Sequence, residues 1–169
     1  MHIDINTPLS DKEVKKLKAG DQVLISGVIY TARDAAHKKF GGKPPFDIKG
    51  QIIYYASPTP ARPGTTIGSI GPTTSSRMDA FASALIKQGL AGMIGKGRRS
   101  KEVIAAIKKY KAVYFVVPGG VAALLSKHVK RSTLVAYQEL GAEAVLALEV
   151  DKFPAIVAID SKGVDIFKR

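Results

Sequence analysis

Between Gln51 and Tyr137 short apolar runs alternate with stretches of helical period, and this alternation narrows the choice of folds more than any other feature. Val113 to Val117 is an unbroken apolar run, as a strand buried on both faces requires. Leu90 to Ile94 reads as a second short buried strand and Gln51 to Ala56 as another. Between them, Ser75 or Ser76 to Gln88 is predicted to be helical, with Met78, Phe81, Ala82 and Leu85 on one buried face. Ser100 is placed to cap a further helix carrying Val103, Ile104 and Ile107. Gly119 to Val129 then reads as helix and Thr133 to Tyr137 as strand. Such alternation gives an α/β fold with a mainly parallel central sheet.

Both ends add to this plan. Ser10-Asp11-Lys12-Glu13 is a capping box, and the helix it opens turns Val14 and Leu17 inward and is expected to end at Gly20. Gln22 to Tyr30 is rich in β-branched residues and reads as a strand. Thr31 to His37 begins a short helix, with Thr31 as its cap, and Gly41-Gly42 and Pro44-Pro45 break it. The prolines at 58, 60 and 63 stiffen an extended, ordered loop. Ala155 to Ile159 and Val164 to Phe167 flank Ser161-Lys162-Gly163 as a hairpin. The expectation is one domain over residues 1–169, α/β with additional β structure and no internal repeat.

Composition excludes more than it selects. The formal net charge of +12 admits nucleic acid, an acidic partner or a small anionic metabolite. The lysines are scattered over helix surfaces, tryptophan is absent and no aromatic ladder offers itself to bases, so nucleic acid is disfavoured. With no cysteine, this chain forms no disulfide and no thiolate-ligated zinc or iron–sulfur site. Its three histidines lack ligand spacing, so no metal site is expected. No apolar run approaches the roughly 20 residues that cross a bilayer, and residues 1–11 carry no apolar signal region. A cytoplasmic protein is expected.

Three segments carry candidate chemistry. Gly71-Pro-Thr-Thr-Ser-Ser-Arg-Met-Asp79 joins a tight turn, a cluster of hydroxyls at a helix start and a guanidinium able to grip a carboxylate. It is not a Walker A loop, and the same residues also suit a plain capped helix with Arg77 in solvent. Gly95-Lys96-Gly97 follows an apolar strand, which puts Lys96 where ligands collect in α/β folds and lets a ligand approach the backbone. In Thr31-Ala-Arg-Asp-Ala-Ala-His37 the Arg33–His37 spacing shares a helical face, and Asp34 and His37 can pair. Together they suggest one cationic pocket of Arg33, Arg77, Lys96 and the Thr73 region. It has no evident carboxylate base, so a half-site completed by another chain is the natural inference.

These segments, with Tyr30 preceding the third and Met93-Ile94 preceding the second, resemble the C-terminal region of class I fumarases and the β subunit of L-tartrate dehydratase. Gly50 to Tyr55, Pro58 to Pro63 and Phe153 to Val157 fit the same pattern, so the resemblance runs from Pro8 to Phe167. It implies a swivelling β/β/α domain and a hydro-lyase, one subunit of a fumarate hydratase of the 4.2.1.2 type that interconverts fumarate and (S)-malate in the tricarboxylic acid cycle. It further implies a [4Fe–4S] cluster held by a partner α subunit and none ligated by this chain. The implied assembly is α2β2, and a homodimer is admitted for the isolated chain. By motif position Arg33, Arg77, Lys96 and Thr74 bind the dicarboxylate, Thr73 is the candidate base, and Asp34 and His37 support Arg33 and the pocket wall. Ser76 stands where a smaller residue, often glycine, is expected before the arginine. L-tartrate dehydratase or a related hydroxy-dicarboxylate hydro-lyase is the alternative. A basic, non-enzymatic module binding an anion or nucleic acid is the alternative of another class.

Overall fold

The computed structural model describes residues 1–117 and 120–168. Seven strands are β1 (Ile3–Asn6), β2 (Gln22–Thr31), β3 (Ile52–Tyr54), β4 (Gly92–Gly95), β5 (Val113–Val116), β6 (Val129–Ala136) and β7 (Val145–Ile159). The helices are α1 (Asp11–Lys16), α2 (Asp34–Phe40), α3 (Asp79–Lys87), α4 (Lys101–Tyr110) and α5 (Ala122–Ser126). Shorter 3-10 segments cover Ser75–Met78, Gln138–Glu143 and Ile166–Lys168.

Local chemistry accounts for the starts of α1 and α4. The capping box forms: Ser10 Oγ accepts from the Glu13 N–H at 3.2 Å, and the Glu13 carboxylate accepts from the Ser10 N–H at 2.7 Å. Ser100 Oγ accepts from the Val103 N–H at 3.3 Å, opening α4 as its sequence predicts. The end of α1 differs from expectation because one local and one distant carboxylate intervene. α1 stops at Lys16 rather than Gly20, because Asp21 and Asp160 take the N–H groups of Lys18 and Ala19 that would otherwise continue it. Thr31 does not cap α2. It is the last residue of β2, fully buried, with its hydroxyl donating to Ala144 O and accepting from the Leu146 N–H.

β1 to β5 pair in parallel, in the order β1-β2-β3-β4-β5. β7 pairs antiparallel with β2, β5 and β6. β2 and β7 lie side by side from Gln22↔Ile156 to Tyr30↔Ala147, so hydrogen bonding runs β2-β3-β4-β5-β7 and returns to β2. β1 is attached to this closed ring at β2 and β6 at β7. The expected mainly parallel sheet is found over β1–β5, and the additional β structure, β6 and β7, joins it antiparallel.

β3, β4 and β5 bury both faces. Ile25, Ile29, Ile52, Tyr54, Phe115, Phe153 and Val157 form one core. Ile53, Tyr55, Met93 and Tyr114, on the alternate positions, pack against Met78, Leu85, Val103 and Ile107 from the helical side.

The carboxyl-terminal third departs most from the sequence reading. β6 begins at Val129 and ends at Ala136, because Tyr137 takes a left-handed φ of 64°. α5 is only Ala122–Ser126, and Gly119, the expected helix start, lies outside the described residues. The expected hairpin reduces to a bridge between Ile159 and Asp165. Its first strand is instead the end of β7, whose earlier half alternates buried Leu148 and Val150 with exposed Glu149 and Asp151. No helix among the described residues is long and apolar enough to cross a membrane.

Candidate functional site at the carboxyl ends of the parallel strands

The three candidate segments meet where β2, β3 and β4 end. After β3, the Tyr55 carbonyl accepts from the Thr73 N–H at 2.7 Å. After β4, the Lys96 N–H donates to Thr73 O at 3.3 Å, and Lys96 O accepts from the Ser75 N–H at 2.9 Å. Residues 73–75 thus run parallel to the chain at Lys96, with Thr74 and Lys96 in register. The N–H groups of Thr73 and Ser75 are both spent on this stitching. Thr74 precedes the 3-10 segment without capping it through its side chain, which leaves its exposed hydroxyl outside any capping role.

Gly95 permits the close approach. A Cβ there would lie 1.9 Å from Ser75 Oγ, so this glycine admits a buried serine from the neighbouring loop rather than a ligand. Gly97 turns the chain with φ of 82°.

Arg33 and Arg77 converge on Asp34. Arg77 Nε donates to Asp34 Oδ2 at 2.9 Å, while Arg33 Nε lies 3.9 Å from both Asp34 Oδ1 and Glu143 Oε1. One terminal nitrogen of Arg33 donates to Ser57 Oγ at 3.0 Å. Arg33 Nε and Asp34 Oδ1 are buried with no hydrogen-bond partner among the described residues. The Arg77 side chain is 53% exposed, and Lys96, Thr74 and Ser76 are exposed beside a half-buried Thr73. The arrangement is an open cationic face; concavities lined by His2, Gln22 and Leu124, or by Lys12, Lys49 and Lys87, lie elsewhere.

Asp34 does not pair with His37. His37 Nδ1 is 2.8 Å from Arg33 O, and because a carbonyl only accepts, that nitrogen carries the proton. The imidazole therefore anchors the backbone of Arg33, while Asp34 aligns the guanidinium of Arg77. The ring lies against Phe40, Tyr55 and Phe81, with centroids 5.0, 5.7 and 5.6 Å away. Burial pushes its pKa from 6.5 down to about 4, against the opposing pull of the Arg33 carbonyl. The folded chain stays neutral at His37 where the unfolded chain already binds a proton. Stability from this residue is intact above about pH 6.5 and falls as pH drops toward 4, by roughly 3 kcal/mol. His37→Gln, which keeps a donor for the carbonyl, is expected to flatten that part of a urea-unfolding series from pH 7 to pH 4. An unchanged slope would refute the assignment.

A second constellation, beneath the first, escaped the sequence reading. The Arg99 side chain is wholly buried. Its Nε donates to Asp79 Oδ1 at 2.7 Å, and one terminal nitrogen donates to Tyr55 Oη at 3.1 Å. Asp79 Oδ2 accepts from the Ser100 N–H at 2.7 Å. The guanidinium carbon sits 4.8 Å from the Tyr114 ring centroid and 5.2 Å from that of Tyr55. Tyr114 Oη is 2.8 Å from both Ser75 Oγ and Gly97 O. The phenol has one proton and the carbonyl only accepts, so Tyr114 donates to Gly97 and Ser75 donates to Tyr114. Burial pushes the Tyr114 pKa far up, which keeps that proton in place.

The family model described as "Fumarase C-terminus" matches residues 1–169. The chain belongs to the fumarase C-terminus family. It is 45% identical to a Methanocaldococcus jannaschii protein provisionally named L(+)-tartrate dehydratase subunit beta, covering 95% of this chain and 88% of that one. It is 37% identical to the aerobic class I fumarate hydratase of Salmonella typhimurium, over 100% of this chain and 31% of that one. The aerobic class I fumarate hydratase of Escherichia coli is 36% identical, over 100% of this chain and 33% of its own length. The chain thus spans about a third of the fumarate hydratases it matches and most of the tartrate dehydratase subunit. The family resemblance drawn from the motifs is shown.

Proposed function

We propose that this chain is the β subunit of a class I fumarate hydratase, supplying the cationic half of an active site shared with an α subunit. The observation that carries the reading is the junction of Arg33 and Arg77 on Asp34, beside the stitched Thr73–Lys96 pair, with the Arg77 and Lys96 side chains exposed on one open face. Relatives of this family bear hydro-lyase names. A small dicarboxylate has what such a face lacks: two fixed anions at the spacing of a four-carbon frame.

In this proposal Arg33, Arg77, Lys96 and Thr74 hold the carboxylates. Loss of the C3 proton from malate moves negative charge onto the adjoining carboxylate, and the fixed cations favour that aci-carboxylate over the ground state. Thr73 Oγ1 is the proposed proton acceptor. A threonine hydroxyl is ordinarily a weak base, so the neighbouring cations must favour its alkoxide or pass the proton onward. In the hydration direction Thr73 returns the proton to the same carbon.

An iron–sulfur cluster does not fit on this chain. It has no cysteine, and no group of three or more His, Asp and Glu capable of holding a metal occurs among its described residues. No step above runs through a cluster. In the proposed assembly a [4Fe–4S] cluster belongs to the α subunit, within a cytoplasmic α2β2 complex that serves the tricarboxylic acid cycle. The closed ring flanked by helices is likewise read as the swivelling β/β/α type.

L-tartrate dehydration is the second reading, favoured by the 45% identity to a relative of similar length. Anaerobic co-expression with a cysteine-bearing α subunit, followed by assay on fumarate, (S)-malate and L-tartrate, tests both. Turnover on fumarate and malate only by the complex is expected. Turnover confined to tartrate would move the assignment to the second reading, and none on any of the three would overturn both. Binding to nucleic acid that weakens steeply with salt would instead mark a basic binding module.

A further inference from the structure

We propose that Arg99, through Tyr114, is a positioning residue that fixes the Thr73 loop and the Lys96 loop against each other. The inference rests on the hydro-lyase reading above for what the two loops do, and on geometry for how they are held.

Burying a guanidinium is costly, and apolar groups of similar volume commonly stabilise a core as well or better. Stability alone therefore gives little reason for a cation at this depth. What an apolar side chain could not supply is directed bonding. Arg99 grips Asp79, at the end of the Gly71–Asp79 motif, and the phenol of Tyr55, whose own carbonyl holds the Thr73 N–H. Its flat cation lies against Tyr114, whose single hydroxyl joins Ser75 on one loop to Gly97 on the other. Arg99 itself follows Lys96 by three residues, on the same loop. Each loop is thus tied to this side chain by more than one route, and the backbone bonds between Thr73, Ser75 and Lys96 join the same two loops. Displacing reacting groups by about 1 Å can cost about 10²-fold in rate.

Three variants of the full chain test this: Tyr114→Phe, Arg99→Lys and Arg99→Met. Tyr114→Phe removes one hydroxyl and keeps the ring. Two measurements are made on each. Amide hydrogen exchange in the full chain reads the Thr73, Ser75 and Lys96 N–H groups against core amides such as those of Ile53 and Phe115. Steady-state kinetics of the complex with the α subunit separates kcat from KM. All three variants are expected to speed exchange at the three loop amides by tenfold or more beyond any change at the core amides, which report global stability. Tyr114→Phe is expected to lower kcat about tenfold and the Arg99 variants about 10²-fold, with KM within about threefold. Arg99→Lys, which keeps the charge but not the fork, is expected to rescue little.

Loop exchange at the wild-type rate in Tyr114→Phe and Arg99→Lys would overturn the proposal. So would faster exchange with undiminished kcat, or full rescue by lysine. Should Arg99→Met fail to fold, Tyr114→Phe still decides. An inactive wild-type complex would overturn the hydro-lyase reading instead, and the exchange rates would still report whether Arg99 sets the loops.

Discussion

Arg77→Ala and Lys96→Ala are each expected to lower kcat/KM of the reconstituted complex by about 10²- to 10³-fold, the range seen when one fixed donor to a developing oxyanion is removed. Both side chains are exposed, and neither belongs to a core cluster, so folding and assembly should survive. Size-exclusion profiles matching wild type, with kinetics on fumarate and malate, would check this. Arg77→Lys separates charge from shape. Its ammonium cannot both accept the alignment that Asp34 gives Nε and present a planar pair of donors, so most of the loss should persist. Turnover near the wild-type level in either alanine variant would remove that residue from the substrate site.

How far the site could be read in advance depended on whether its contacts are local. The capping box at Ser10 and the cap at Ser100 are bonds between residues three apart, and both formed as their spacing implied. β4 and β5 are buried on both faces, so their apolar runs were visible without knowledge of their neighbours. The placement of Arg33, Thr73 and Lys96 at strand ends followed from order along the chain. Partners distant in sequence were not legible. Asp34 has His37 three residues away, yet its bond goes to Arg77, 43 residues on. Arg98 and Arg99 are adjacent and chemically alike, and only the position of Asp79, Tyr55 and Tyr114 buries the second. β7 was half hidden because Glu149, Asp151 and Lys152 interrupt its apolar residues, and Pro154 sits within it. Those charged positions face outward on a strand whose identity is set by β2, more than a hundred residues earlier.

Asp79→Ala is expected to be the most destabilising single substitution in the site region, by about 3–5 kcal/mol, because it leaves a buried guanidinium without its counter-charge. The Arg99 side chain is 0% exposed and that of Asp79 only 13%, so little water can stand in for the lost carboxylate. The Ser100 N–H at the start of α4 loses its acceptor as well. Thermal unfolding should shift downward by roughly 10 °C in a chain of this size. Arg99→Met added to Asp79→Ala removes the stranded charge and should restore much of the loss, giving a coupling of about 2 kcal/mol or more in a double-mutant cycle. Restored stability without restored turnover in that double variant would separate the two contributions of the pair: the carboxylate neutralises the buried cation, and the cation aligns the loops. A cycle with no coupling, or a single variant as stable as wild type, would mean that the ion pair is relieved by solvent and holds neither loop.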